Sequence, residues 1–261
     1  MERIRSADNP TLKLARKLLR SGRERERSGK ILLDGIHLVS SYGERFGLSG
    51  VTMLIDETAS DSPEIMRLVR SAPAGTRIFE IAPGPFAAIS PVQTPAGIVA
   101  LCERPAVAAP SAANPFLLLL DGVQDPGNLG SILRTAAATG VNQVLLSASC
   151  ADPWSPRSLR GGMGAQFVLP VFTDIDPFET VSSFQGTSVA TSPHAEDSLL
   201  DANLSGSVLA VFGGEGAGLT DEMTASASIA VRIPLQNSIE SLNVGAAVAM
   251  FCYERLRQTT A

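Results

Sequence analysis

Asn128, Arg134, Glu215, Ser241 and Asn243 each sit beside tight backbone or a helix start, in three separate stretches. The first is Asn128-Leu129-Gly130-Ser131-Ile132-Leu133-Arg134, the second Gly213-Gly214-Glu215-Gly216-Ala217-Gly218, the third Ile233-Pro234-Leu235 leading to Ser241-Leu242-Asn243. A single site drawing on all three would combine glycines that admit a ligand close to the backbone with a fixed positive charge at Arg134. Asn128, Ser241 and Asn243 would add neutral polar groups. Each stretch also has a plainer reading. Asn128, and Ser241 or Asn243, read as helix caps, and the glycine run as a tight turn. That run lacks the Gly-Lys-Ser/Thr ending of a triphosphate loop, and Glu215 would repel phosphate. A neutral or cationic ligand suits it better. His37 falls in an apolar-rich helix and His194 in a polar loop, neither with a partner at ligand spacing. There is no G-x-S-x-G and no carboxylate cluster for a metal. Trp154, in Asp152-Pro153-Trp154-Ser155-Pro156, reads as a substrate loop or as a packing anchor.

Alternating strands and helices must carry these stretches, so the fold class is α/β. Asn9-Pro10 predicts a helix start, with Leu12, Ala15 and Leu19 recurring at helical spacing and Lys13, Arg16, Lys17 and Arg20 on the other side. Strands are predicted at 31–33, 51–55, 77–81 and 98–102, with helices at 36–42 and 63–70. Residues 105–115, rich in proline and alanine, read as a linker between domains at 1–104 and 116–261. In the second domain, strands are predicted at 116–120, 141–147, 167–171, 188–191, 208–212 and 229–233, and helices at 128–139 and 243–258. The loop from Asp121 to Asn128 follows a strand and enters a helix, where α/β proteins place ligands.

A chain of 261 residues can bury substantial cores without disulfides or metals. Its three cysteines show no C-x-x-C spacing, and neither a signal peptide nor a bilayer-length apolar run is present. The expected home is the cytoplasm. The net charge of −5 hides an asymmetry. Residues 1–30 carry ten Lys/Arg against four Asp/Glu, and the remaining 231 carry eleven against twenty-two. The basic tract, through Lys13, Arg16, Lys17, Arg20, Arg23, Arg25 and Arg27, suits a sequence-independent grip on a nucleic-acid backbone, or else forms a solvated helix face.

Taken in order, the three stretches resemble the SpoU–TrmH family of RNA ribose methyltransferases, in the SPOUT class. Asn128-x-Gly130-x-x-x-Arg134-Thr135-Ala136, Gly213-x-Glu215-Gly216-x-Gly218, and Ile233-Pro234 followed by Ser241-Leu242-Asn243-Val244 match its motifs in order and spacing over about residues 114–258. Asn9-Pro10 and Leu33-Asp34-Gly35-Ile36-His37-Leu38-Val39 resemble, more loosely, the ribosomal-protein-like RNA-binding domain often fused ahead of it. Two departures stand out: Asp34 where Glu is usual, and Arg160-Gly161-Gly162-Met163-Gly164-Ala165 where relatives more often have small residues including serine.

The resemblance implies a C-terminal trefoil knot, a homodimer with the active site at the subunit interface, and S-adenosylmethionine (AdoMet) as methyl donor. It places Thr191, Gly213, Gly214, Ile233, Leu235 and Leu242 along the donor pocket, and Asn128, Arg134, Glu215, Ser241 and Asn243 at the reactive end. Arg134 would bind a phosphate and stabilise developing alkoxide charge, oriented by Glu215 across the dimer. The implied reaction is methyl transfer to a ribose 2′-hydroxyl of RNA, ribosomal by analogy with the two-domain layout, and with no metal or membrane. The rival readings are a non-catalytic RNA-binding or ribosome-associated protein, and a SPOUT enzyme acting on tRNA or on a base.

Overall fold

The computed structural model describes residues 1–237 and 239–260. In chain order the elements are β1 (Glu2–Ile4), α1 (Pro10–Arg20), α2 (Gly22–Ser28), β2 (Lys30–Asp34), α3 (Ile36–Phe46), β3 (Thr52–Asp56), α4 (Pro63–Ser71), β4 (Arg77–Ile81), α5 (Pro83–Ala87) and β5 (Ile98–Glu103). They continue with β6 (Phe116–Asp121), α6 (Pro126–Ala138), β7 (Gln143–Ser147), α7 (Pro156–Gly162), β8 (Val171–Ile175), α8 (Pro177–Ser183), β9 (Thr187–Thr191), β10 (Asp197–Ser198), β11 (Val208–Gly213), α9 (Asp221–Ser226), β12 (Ile229–Arg232) and α10 (Val244–Thr260). Two compact units result: Met1–Ala106 with Trp154–Phe167, and Val107–Pro153 with Val168–Ala261. Residues 104–115 form no helix or strand.

The first unit is a five-stranded mixed sheet in the order β1-β4-β3-β5-β2. Leu12, Ala15 and Leu18 of α1 are fully buried against it. Asn9 caps α1 by accepting from the Thr11 N–H, with Pro10 in the first turn. The alternating charges after Arg20 form a second helix, capped by Ser21 through the Glu24 N–H. Trp154, Leu159 and Phe167 belong to this unit's core, so Trp154 is a packing anchor. Phe167 meets Tyr42 and Phe46 edge-on, with centroids 5.6 and 6.0 Å away. That anchoring overturns the strand expected at 167–171. Ala165–Phe167 is a 3-10 turn, and the strand starts only after Pro170, at Val171. The two departures from the family pattern meet here: Arg160 Nη1 donates to Asp34 Oδ2 at 3.3 Å. Burial pushes the Asp34 carboxyl up, and Arg160 pulls it back.

The second unit is a seven-stranded sheet in the order β10-β12-β9-β11-β6-β7-β8, with every pairing parallel. Central strands β6 and β11 are nearly all apolar because both faces are covered. The chain runs from β6 to β7 to β8, then crosses to β9 on the far side of β11. The strand order therefore reverses beside β6 and β11, the position where open parallel sheets bind ligands at their carboxyl ends. Phe251 of α10 locks that helix onto the sheet, stacking on Phe116 at 6.2 Å and meeting Phe212 edge-on at 5.7 Å.

Candidate active site

Parallel register and side-chain contacts bring Thr191, Gly213, Asn128, Glu215 and Asn243 to one end of the second sheet. Gly213 pairs with Asp121 at the ends of β11 and β6. Thr191, last in β9, pairs with Val231 near the end of β12, and its hydroxyl donates to the Val211 carbonyl at 3.0 Å. Three connections leave these ends: 122–125 into α6, 214–220 into α9, and the one that follows β12 into α10.

Asp125, not Asn128, caps α6. Its carboxylate accepts from the Asn128 N–H at 2.8 Å, and Pro126 occupies the first turn. Asn128 therefore lies inside the helix with its side chain released for other work. Its Nδ2 donates to Glu215 Oε1 at 2.9 Å, and its Oδ1 accepts from Asn243 Nδ2 at 3.1 Å. Asn243 caps α10 as expected, its Oδ1 accepting from the Gly245 N–H at 2.9 Å. One amide thus joins all three motifs.

Glu215 also accepts from the Gln124 N–H at 3.0 Å and the Asp125 N–H at 3.4 Å. Partial desolvation pushes its carboxyl up. The hydrogen bonds from Asn128 and from backbone N–H groups outweigh that and hold it below the ordinary carboxylate value. Within one chain, then, Glu215 organises Asn128 and the 122–125 loop. Arg134 is exposed on α6 and has no hydrogen-bond or ion-pair partner among the described residues. Ser241 is exposed as well.

Gly213 and Gly214 have packing reasons of their own. A Cβ on Gly214 would overlap the Gly122 carbonyl, and one on Gly213 the backbone of Gly218. Gly122 has φ +80°, a left-handed turn that brings it against Gly214. Gly214→Ala is expected to destabilise the protein by about 1–3 kcal/mol, because neither backbone can yield without moving β6 or β11. Thermal unfolding checks this, and an unchanged midpoint would contradict it.

The donor set suits a sulfonium ligand. Thr191, Gly213, Gly214, Ile233, Leu235 and Leu242 are all half-buried. They offer backbone and apolar surface without a fixed cation. Among the described residues no group of three or more His, Cys, Asp or Glu is placed to hold a metal ion. Sequence reasoning missed the Gln124 and Asp125 N–H groups. Asp125-Pro126, a cap residue followed by proline, was the signal available.

In the first unit the basic residues divide. Lys17, Arg20 and Arg23 are exposed. Lys13 pairs with Asp8 at 3.1 Å and Arg27 with Glu24 at 2.6 Å, while Arg16 donates to the Ala7 carbonyl. Arg25 is buried and donates to the Leu18 carbonyl, so its guanidinium ties α2 to α1 and faces no outside strand.

Known proteins match both parts of the chain. The SpoU rRNA Methylase family model matches residues 115–253, and the MRM3-like substrate binding domain model matches residues 9–100. An uncharacterised tRNA/rRNA methyltransferase of Synechocystis is 33% identical, over 98% of this chain and 93% of its own length. The 23S rRNA (guanosine(2553)-2′-O)-methyltransferase RlmP of Bacillus subtilis is 31% identical, over 97% and 98%. Among solved structures, the SpoU methyltransferase AviRb of Streptomyces viridochromogenes in complex with AdoMet superposes with a TM-score of 0.84 at 28% identity, over 96% of this chain and 98% of that one. This chain belongs to the SpoU rRNA methylase family, with a substrate-binding domain ahead of its methylase domain.

Proposed function

We propose that this protein transfers a methyl group from AdoMet to a ribose 2′-hydroxyl of ribosomal RNA. The single observation that carries the reading is the Asn128 amide, bonded at one end to Glu215 and at the other to Asn243. Three separated motifs meet there at the carboxyl ends of parallel strands. The relatives' names support ribosomal RNA as substrate, and the AdoMet complex of AviRb supports the donor.

The division of labour follows the sequence. Residues 1–104 hold RNA and residues 116–261 carry the chemistry, with 105–115 between them. Thr191, Gly213, Gly214, Ile233, Leu235 and Leu242 line the donor pocket within a trefoil-knotted C-terminal half. AdoMet supplies an electrophilic methyl on a sulfonium. The chain's part is alignment of the attacking oxygen and exclusion of water from the reacting groups. Arg134 holds the phosphate beside the target ribose and stabilises charge developing on its 2′-oxygen. Asn128 and Asn243 fix the loops around that oxygen, and Ser241 adds a hydroxyl at the same end.

The functional unit is a homodimer. Met250 and Tyr253, one turn apart on α10, are 46% and 67% exposed, and a second copy would cover this apolar face. None of the described helices is long and apolar enough to cross a membrane, and the cytoplasm, where ribosomal RNA resides, is the proposed location.

Transfer of tritium from labelled AdoMet to protein-free ribosomal RNA tests the activity. Nuclease-resistant dinucleotides in the product establish ribose as the acceptor. Labelled RNA without them would point to a base, and no labelling of any RNA would sink the proposal.

Residues 1–30 cannot simply be deleted to test the basic grip, because β1 and the buried face of α1 are part of the first unit's core. Neutralising Lys17, Arg20 and Arg23 together leaves that core intact. The triple alanine variant is expected to bind RNA more weakly at 50 mM salt. Its log K against log salt slope should be shallower by up to about 2, at roughly 0.7 per lost contact on single strands. An unchanged slope would show that this face is merely solvated.

A further inference from the structure

The first unit has a groove of about 600 Å³ between α3 and α4, lined by Ile36, His37, Ser40, Glu64, Arg67, Leu68 and Ser71. The spacing makes it continuous. Positions 36, 37 and 40 share one face of α3, and positions 64, 67, 68 and 71 one face of α4. Its size falls within the range of small-ligand sites. Leu68 is buried and Ile36 packs on the core, so the floor is apolar. His37, Glu64 and Arg67 are exposed. The side chains of His37, Ser40, Glu64 and Arg67 have no hydrogen-bond or ion-pair partner among the described residues. The Ser71 hydroxyl donates to its own helix, at the Leu68 carbonyl.

These groups define the ligand by chemistry. An imidazole and a guanidinium are the flat polar groups on which RNA bases stack. An apolar floor with hydroxyls and one carboxylate at the rim matches the face and edges of a heterocycle. Glu64 argues against a bare phosphate, which it would repel, and accepts from exocyclic amino or ribose hydroxyl groups instead. We infer that this groove captures one unpaired nucleobase of the substrate RNA, stacked between His37 and Arg67 over Ile36 and Leu68. This rests on the reading of the protein as an RNA-modifying enzyme. It adds a contact distinct from the basic face of α1 and α2, through base stacking in place of counterion release. It also gives His37 a role that its lack of metal-ligand spacing had left open.

The test uses the full chain and a single-stranded oligoribonucleotide containing 2-aminopurine, whose fluorescence is quenched on stacking. His37→Ala and Arg67→Ala are each expected to weaken binding about tenfold and to relieve quenching. His37→Phe keeps an aromatic plane and should bind within about threefold of wild type, whereas Arg67→Lys, with charge but no plane, should behave like the alanine variant. The His37→Ala variant should keep the wild-type salt slope, and AdoMet binding should be unaltered in all four. Wild-type affinity in both alanine variants overturns the inference. So does an equal loss in His37→Phe and His37→Ala, or the same loss on fully duplexed RNA; either would point to a protein contact or a structural role. These binding measurements stand apart from catalysis. A wild-type chain that labels no RNA sinks the proposed activity without touching their outcome.

Discussion

Replacing Asn128 by Asp is expected to lower kcat/KM for methyl transfer by about 10²-fold at pH 7.5, the scale of losing one preorganised donor. The substitution is nearly isosteric, so the fold should survive it. What changes is a single donor: the Asn128 Nδ2 that now gives its hydrogen to Glu215 Oε1 at 2.9 Å. An ionised Asp there would set two carboxylates in contact, and one would keep a proton well above its ordinary range. That pair gives the variant's activity a pH dependence of its own, separate from the wild type's stability. In the wild type, hydrogen bonds hold Glu215 below the ordinary carboxylate value against partial desolvation. A depressed folded-state pKa contributes stability that is present above about pH 4.3, the unfolded value, and is lost as pH falls through the folded value. The variant is expected to gain activity as pH falls from 8 toward 6, when the pair holds one proton. Pairing it with Glu215→Gln returns a donor to the contact from the other side, and the double variant should recover at least tenfold over Asn128→Asp alone. Wild-type kcat/KM for Asn128→Asp across pH 6–9 would remove Asn128 from the centre of the site.

That prediction depends on a contact the sequence showed only in part. Order and spacing of the three motifs were enough to propose convergence, because loops after parallel strands gather at one end of a sheet. The cap assignment was the weak step. Asn128 and Asp125 both have capping side chains, and the two readings differ by less than a turn. Pro126 decides for Asp125, since proline fits the first turn, where its missing N–H is not needed. Arg25 misled for a related reason. Alternating Arg and Glu look solvated at any periodicity, but the new helix capped by Ser21 turns Arg25 back onto Leu18. Short helices α7 and α8 escaped because seven residues carry little periodicity, although Ser155-Pro156 and Asp176-Pro177 mark both starts. The placement of Trp154 and Phe167 in the first unit's core was not legible at all. It is a tertiary choice between two apolar interiors, and nothing local distinguishes them.

Arg134→Lys is expected to reduce kcat by roughly 10²-fold, with AdoMet binding unchanged and RNA affinity within about threefold of wild type. Lysine keeps the charge but loses the planar fork that can hold a phosphate and an adjacent oxygen together. Within its own chain the guanidinium meets no carboxylate among the described residues, and Glu215 is already occupied by Asn128 and two backbone N–H groups. An arginine held free on a long, well-packed helix fits a site completed by a second copy. Mixing can test this separately from the chemistry. In the proposed homodimer, Arg134→Ala and Asn128→Ala subunits, each inactive alone, are dissociated and reassociated together. If Arg134 acts on the partner's Asn128 cluster, each mixed dimer carries one site with both lesions and one with none. With about half the dimers mixed, activity should return to about a quarter of wild type. If Arg134 serves its own chain, every site in the mixed dimer keeps one lesion and nothing returns. Full activity of Arg134→Lys would deny the guanidinium a special part, and failure to complement would place it in the same protomer as the cluster it serves.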